Sequence, residues 1–300
     1  HGRKTDKDLS GRLYLNVGHT GLDDPGLAAW IQSAGVRPVY FIHDLIPITH
    51  PEYCREGELE RHHARMRTAL RTGAAIIGNS QATLDELALF AEAEKLDVPP
   101  STAAWLGITP MPPPAAVGSS DRPTFVIVGT IEARKNHLFL LQVWTRIAQK
   151  MGSDAPHLLV LGQRGWECEQ AVDLLDRAAA LKPVVTEIGG CSDEELAAHL
   201  HNAQALLFPS LAEGYGLPLV EALSAGTPVI ASDLPVFREI SQDIPTFVDP
   251  LDGPDWERQI IDFSRHDSET RKAQCARMPS FRVPTWADHF AKADALLSTV

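Results

Sequence analysis

The sequence predicts an α/β protein made of two Rossmann-like domains, each a parallel sheet with helices packed on it, facing each other across a cleft. Three observations carry this. Short, apolar, strand-like runs alternate with helical patterns along nearly the whole chain, the mark of βαβ units. A stretch rich in Pro, Gly and Ser, PMPPPAAVGSSDRP at 110–123, interrupts the alternation once, after which it restarts. The 300 residues, 44% of them hydrophobic, suffice for two cores.

Taken in order, LYLNVGH, VYFIHDL, AAIIGNS and TAAWLGI read as strands of a first domain at 1–109, with helices expected around 24–34, 56–72 and 81–94. Residues 110–123 form the linker. In the second domain, 124–284, the strands are TFVIVGT, HLLVLGQ, PVVTEIG, ALLFPS, TPVIASD and PTFVDP, each followed by a helical pattern. SDEE at 192–195 is a capping box that marks one helix start. The amphipathic segment TWADHFAKADALL at 285–297 reads as a closing helix. A βαβ unit takes roughly 30 residues, so the first domain holds only three or four strands. Either it is reduced or its opening strands are missing, and the start at His1 reads as processed, truncated or tag-scarred.

Composition excludes several classes. A net charge of −12 argues against a nucleic-acid binder, which needs a basic face. Cys54, Cys168, Cys191 and Cys275 are scattered without a C-x-x-C pair, so neither a disulfide framework nor a zinc site is expected, and a reducing cytoplasm fits. No apolar run approaches a membrane span, and no signal-peptide pattern opens the chain.

The densest signal is FPSLAEGYGLPLVEALSAGTPVIASD. A buried strand ends at Pro209 and Ser210, GYGLP breaks the regularity, Pro218 suits the first turn of a helix, and Gly226 stops that helix. Glu213 therefore lies on the loop at the carboxyl end of a strand, and Glu221 one turn into the next helix. In an open α/β sheet that edge binds ligands, and a helix start offers free N–H groups to an anion. The second signal is FVIVGTIEARKN at 125–136. A strand ends at Gly129, Arg134 and Lys135 follow on a short loop, and Asn136 reads as an N-cap. Cations at a helix N-terminus oppose its dipole. A diphosphate would account for them, and a solvated basic pair is the bland alternative. Neither G-x-G-x-x-G nor a Walker loop is present.

Together VGTIEARKN, ALLFPS, EGYGLPLVEAL and GTPVIASD resemble the donor-binding domain of the retaining glycosyltransferases of family 4, which have the GT-B fold. The two glutamates with seven residues between them are the signature of that family. HDLIPITHPEYC and IGNSQATLDEL extend the resemblance into the first domain, in the manner of bacterial mannosyltransferases and rhamnosyltransferases of polysaccharide assembly. The resemblance implies that Glu213 contacts the transferred sugar and that Glu221 hydrogen-bonds the nucleotide ribose. It implies that the amides of Gly214, Tyr215, Gly216 and Leu217 hold sugar and diphosphate. Lys135 matches the diphosphate lysine. The arginine that commonly follows the strand glycine, here Gly129, is replaced by Thr130, leaving Arg134 to supply that charge. His43, at the end of VYFIH, matches a histidine that faces the donor sugar, with a histidine merely satisfied at a strand end as the bland alternative. The base is expected against the loop after PVVTEIG, near Ile188 and within Glu187–Cys191. The closing helix commonly crosses back to the first domain in this fold.

The resemblance thus implies transfer of a sugar, with GDP-mannose the leading donor, to a saccharide or lipid-linked oligosaccharide in the cytoplasm. Cations would stand in for Mg²⁺, so neither metal nor cofactor is expected. Glu213→Ala is expected to abolish transfer with little loss of folding. Three other readings stay open: a nucleotide-sugar binder without turnover, because HTGLDDPG at 19–26 does not match the family's glycine-rich acceptor-side loop; a GT-B sugar epimerase; and a two-carboxylate hydrolase, which fits poorly because Glu221 falls on a helix. The helix EGELERHHARMRTALRTG carries Arg61, Arg65, Arg67 and Arg71. Peripheral contact with the inner membrane face is a secondary expectation beside a solvated face with its own glutamates.

Overall fold

A computed structural model of the chain describes residues 8–112 and 122–300; residues 1–7 and most of the expected linker lie outside the described residues. The chain divides into two compact units, His1–Gly107 with Pro284–Val300, and Ile108–Val283.

The first unit runs through β1 (Leu13–Asn16), α1 (Pro25–Ala34), β2 (Arg37–Ile42), α2 (Ile46–Thr49), α3 (Glu58–Thr72), β3 (Ala75–Gly78), α4 (Gln81–Glu94) and β4 (Ser101–Ala103). The strands pair in parallel in the order β1-β2-β3-β4. Successive residues of β2 point to opposite faces. Tyr40 and Ile42 pack with Ile76, Met66, Leu84 and Phe90 under the helices. Val39 and Phe41 pack with Ala75, Ile77 and Ala104 on the other side. A parallel sheet covered on both faces reads as a continuous apolar run, as VYFI does. The fourth strand is shorter than TAAWLGI suggests: the Ala104 N–H still donates to the Gly78 carbonyl of β3 (2.8 Å), while the carbonyls of Ala104 and Trp105 lie 3.1 and 3.0 Å from the His289 ring.

The second unit contains β5 (Thr124–Val128), α5 (His137–Met151), β6 (His157–Leu161), α6 (Glu169–Arg177), β7 (Val185–Ile188), α7 (Asp193–Asn202), β8 (Ala205–Phe208), α8 (Leu217–Ser224), β9 (Val229–Ser232), α9 (Pro235–Ser241), β10 (Thr246–Val248), α10 (Gly253–Phe263) and α11 (Glu269–Arg277). Its six strands are parallel, in the order β10-β9-β8-β5-β6-β7. The chain winds outward from β5 to β7, then starts again beside β5 at β8 and winds the other way. On α5 the residues at helical spacing, Leu140, Leu141, Trp144 and Ile147, are buried against Phe125, Leu158 and Trp256. The predicted capping box forms: Glu195 N–H donates to Ser192 Oγ (3.2 Å) and Ser192 N–H to Glu195 Oε2 (2.8 Å).

The chain then returns to the first unit through α12 (Trp286–Leu297). Ala293, Leu296 and Leu297 cover the second face of that unit's sheet. Among the described residues no helix is long and apolar enough to cross a membrane.

Candidate functional site

In the second unit β5 and β8 are neighbours, and the connections leaving them diverge, β5 toward β6 and β8 toward β9. Such a switch point opens a crevice at the carboxyl ends of the strands. Arg134 and Lys135 follow β5, Glu213 follows β8, and the structure brings the three together there.

The Glu213 side chain is 7% exposed and is held from three sides. Arg134 Nη1 donates to its Oε2 (2.7 Å), Ser210 Oγ to its Oε1 (3.0 Å), and Lys135 Nζ also to Oε1. Arg134 is oriented further by Glu132 Oε1 (2.7 Å) and by the carbonyl of Ala212 (3.0 Å). The Lys135 ammonium lies 5.4 Å from the Phe208 ring centroid, within range of a cation–π attraction. Burial alone would raise the Glu213 carboxyl, but the charges and hydrogen bonds of Lys135 and Arg134 outweigh it and hold the pKa below the usual range. Glu213 is therefore an ionised acceptor and a poor proton donor. Removing a buried carboxylate that neutralises two cations is expected to cost about 3–5 kcal/mol, against the little loss of folding expected from sequence for Glu213→Ala.

Asn136 sits at the start of α5 in a left-handed conformation, φ 62, and its side chain makes no cap bond. Its Nδ2 donates instead to the carbonyls of Pro209 (3.1 Å) and Pro250 (3.2 Å), tying together the loops after β5, β8 and β10. The N-cap expected from sequence is thus a cross-loop brace, because a left-handed backbone turns the side chain away from the helix amides.

Gly129 ends β5 with its N–H on the carbonyl of Leu161 (2.9 Å), and Thr130 beside it is exposed. A Cβ at Gly162 would lie 1.9 Å from the Gly129 carbonyl oxygen, so only glycine lets the loops after β5 and β6 approach this closely. Gly214 and buried Tyr215 lead to Gly216, at φ 112, which precedes α8. Gly216 and Leu217 supply the first amides of that helix, the ones without intrahelical partners. Glu221 takes no part in the Glu213 cluster. It is half-buried, and burial together with the Asp193 carboxylate pushes its pKa up. Ile188 closes β7, with its carbonyl accepting from Gly162 N–H (3.0 Å). Sequence reasoning missed Glu132, Ser210 and the true role of Asn136. The left-handed preference of asparagine was the only local signal for the last.

His43 belongs to the first unit, at the end of β2. Its Nε2 lies 2.7 Å from the carbonyl of Val17. On α3, Arg61 donates to Glu58 (2.7 Å) and faces Asp23 (3.5 Å), Arg65 contacts the same two carboxylates, and Arg67 makes a bidentate pair with Glu94, 2.8 Å on each arm. Three of the four arginines thus have carboxylate partners within their own unit. Among the described residues no group of three or more His, Cys, Asp or Glu side chains is placed to hold a metal ion.

A family profile described as "Glycosyl transferases group 1" matches residues 114–275, more than half of the chain. The serotype-specific mannosyltransferase WbdA of Escherichia coli is 29% identical over 230 residues, covering 71% of this chain and 28% of that protein. The chain therefore spans less than a third of this curated relative. Two solved structures share the fold. Sucrose-phosphate synthase from Thermosynechococcus elongatus aligns with a TM-score of 0.71 at 18% identity, over 96% of this chain and 73% of its own. Anabaena HepE in complex with UDP aligns with a TM-score of 0.72 at 17% identity, over 96% and 79%.

Proposed function

The chain belongs to the group 1 glycosyl transferases and has the GT-B fold of these structures, and on that premise we propose that it is a retaining family 4 glycosyltransferase. It moves a sugar, mannose, from a nucleoside-diphosphate donor, GDP-mannose, to a saccharide or lipid-linked acceptor in polysaccharide assembly, without a metal. The observation that carries the reading is the junction of Arg134 and Lys135 with Glu213 at the switch point beside the start of α8. The mannosyl donor rests on the relative's name and the metal-independent chemistry on the cation pair.

Breaking the bond from the anomeric carbon to the diphosphate leaves positive charge on the sugar and negative charge on the leaving group. Groups aimed at where charge develops are worth most in the transition state. Glu213 holds both cations in place before a donor arrives, so their orientation costs little when the reaction begins. With a diphosphate bound, Lys135 and Arg134 share their hydrogen bonds with it, the amides of Gly216 and Leu217 face it, and ionised Glu213 accepts from a sugar hydroxyl. Glu221, outside that cluster, is left to the ribose. Ionised Glu213 also argues against a hydrolase in which it would be the acid.

Transfer assayed with GDP-mannose beside UDP- and dTDP-sugars tests the reading. Lys135→Ala is expected to lower kcat by at least about a hundredfold. Glu213→Gln keeps the shape of the residue but loses its charge and should be nearly as severe. Wild-type turnover in either variant overturns the assignment. A second reading, nucleotide-sugar binding without turnover, draws on the four-stranded sheet of the first unit, smaller than the six-stranded one. Tight donor binding with no transfer to any acceptor favours it.

A further inference from the structure

Three polar groups of His43 are held: the backbone carbonyl, the backbone N–H and ring Nε2. Asn79 Nδ2 donates to its backbone carbonyl (2.7 Å), its own backbone N–H donates to His19 Nε2 (3.3 Å), and its ring meets the Val17 carbonyl. The last contact fixes the tautomer. A carbonyl only accepts, so Nε2 of His43 carries a proton, and Nδ1 is the ring nitrogen that remains to face a ligand. Among the described residues, that Nδ1 has no hydrogen-bond partner.

His19 is built into this position. It lies on the loop after β1 with φ 57, a left-handed conformation uncommon for a residue with a Cβ. Its ring packs edge-on against His43 (5.3 Å between centroids) and His62 (5.4 Å). β1 ends at Asn16, opposite Tyr40, so β2 runs past its ladder partner. Just past the end of β2, the imidazole of His19 accepts from the His43 N–H, a backbone donor that β1 no longer reaches. Burial, with His62, His43 and Arg65 nearby, lowers its pKa to about 3, so it stays neutral and can accept from the His43 N–H.

We propose that His19 is the positioning residue of His43: by taking the His43 backbone N–H it holds the ring against Val17, and so selects Nδ1 as the nitrogen offered to a sugar hydroxyl. This rests on the transferase reading for its use, though not for its geometry.

The test is nitrogen-15 imidazole spectroscopy on the full chain, beside transfer kinetics, for wild type, His19→Gln and His19→Gly. Glutamine places an acceptor where Nε2 stood; glycine removes the acceptor while tolerating the left-handed backbone. Wild type is expected to show His43 protonated at Nε2 and His19 at Nδ1. His19→Gln should retain the His43 state. His19→Gly should show a second His43 tautomer protonated at Nδ1, with kcat lower on the order of tenfold and the urea midpoint recording any general loss of folding. Wild-type His43 protonated at Nδ1, or a His43 tautomer unaltered in His19→Gly, overturns the proposal even if activity falls. A wild-type chain without transfer counts against the transferase reading alone, and the tautomer comparison still decides the role of His19.

Discussion

Glu213 and Glu221 carry the same side chain and shift in opposite directions, the first lowered against two cations and the second raised by burial and Asp193. Their types and spacing are visible in the sequence. Their ionisation is not, because for Glu213 it depends on Lys135 and Arg134, 78 and 79 positions away in the chain, and for Glu221 on burial and Asp193. The buried histidines follow the same logic. Burial, with Lys135 as a second cause, lowers His137 to about 4, and both its ring nitrogens are buried with no hydrogen-bond partner among the described residues. In the unfolded chain an ordinary value near 6.5 returns. Between pH 6.5 and 4 the unfolded state then binds more protons than the folded one, so stability falls as the pH is lowered, by about 3 kcal/mol for this group. His137→Leu should flatten that dependence by up to about one proton, as read from urea unfolding at pH 7 and pH 5. Parallel dependences in the two proteins would remove His137 from the explanation.

At the scale of elements, local signals translate well where both partners are close in sequence. The capping box of α7 forms as SDEE predicts, and Pro218 falls in the first turn of α8. Asn136 shows the limit, since its partners Pro209 and Pro250 lie on other loops. The turn before α8 is constrained at a single residue. At Gly216 the backbone has φ 112, and a Cβ would come within 2.9 Å of the Phe237 ring. Gly216→Ala is expected to cost about 2 kcal/mol and to weaken nucleoside-diphosphate binding by displacing the first amides of α8. Urea unfolding and titration calorimetry with GDP and UDP check both effects. A variant that binds and unfolds like wild type would show that the turn can accept a side chain.

At the scale of the whole molecule, the chain leaves the first unit and comes back to it. Residues 284–300 cover Val39, Phe41, Ala75 and Ile77, so deleting them uncovers one face of the first sheet, whereas the second unit, Ile108–Val283, contains none of these residues. Scanning calorimetry of the deletion is expected to show the first unit's transition lowered or lost and the second unit's retained. Equal loss of both would mean that the units do not unfold independently. The strand count in each unit and most helix positions could be read from periodicity, because parallel strands buried on both faces leave continuous apolar runs.

What the sequence determined by itself is local: strands, helices, a capping box, a proline in a first helical turn, and two motifs each placed at the carboxyl end of a strand. The tertiary structure decided which strands are neighbours. The order β10-β9-β8-β5-β6-β7 sets β8 beside β5 and so joins Glu213 to Arg134 and Lys135. It also decided that His19 reaches His43. The physical reason is the same in both cases. Periodicity and capping act over a few residues, whereas strand order and the ionisation of a buried group depend on packing between segments far apart in the chain.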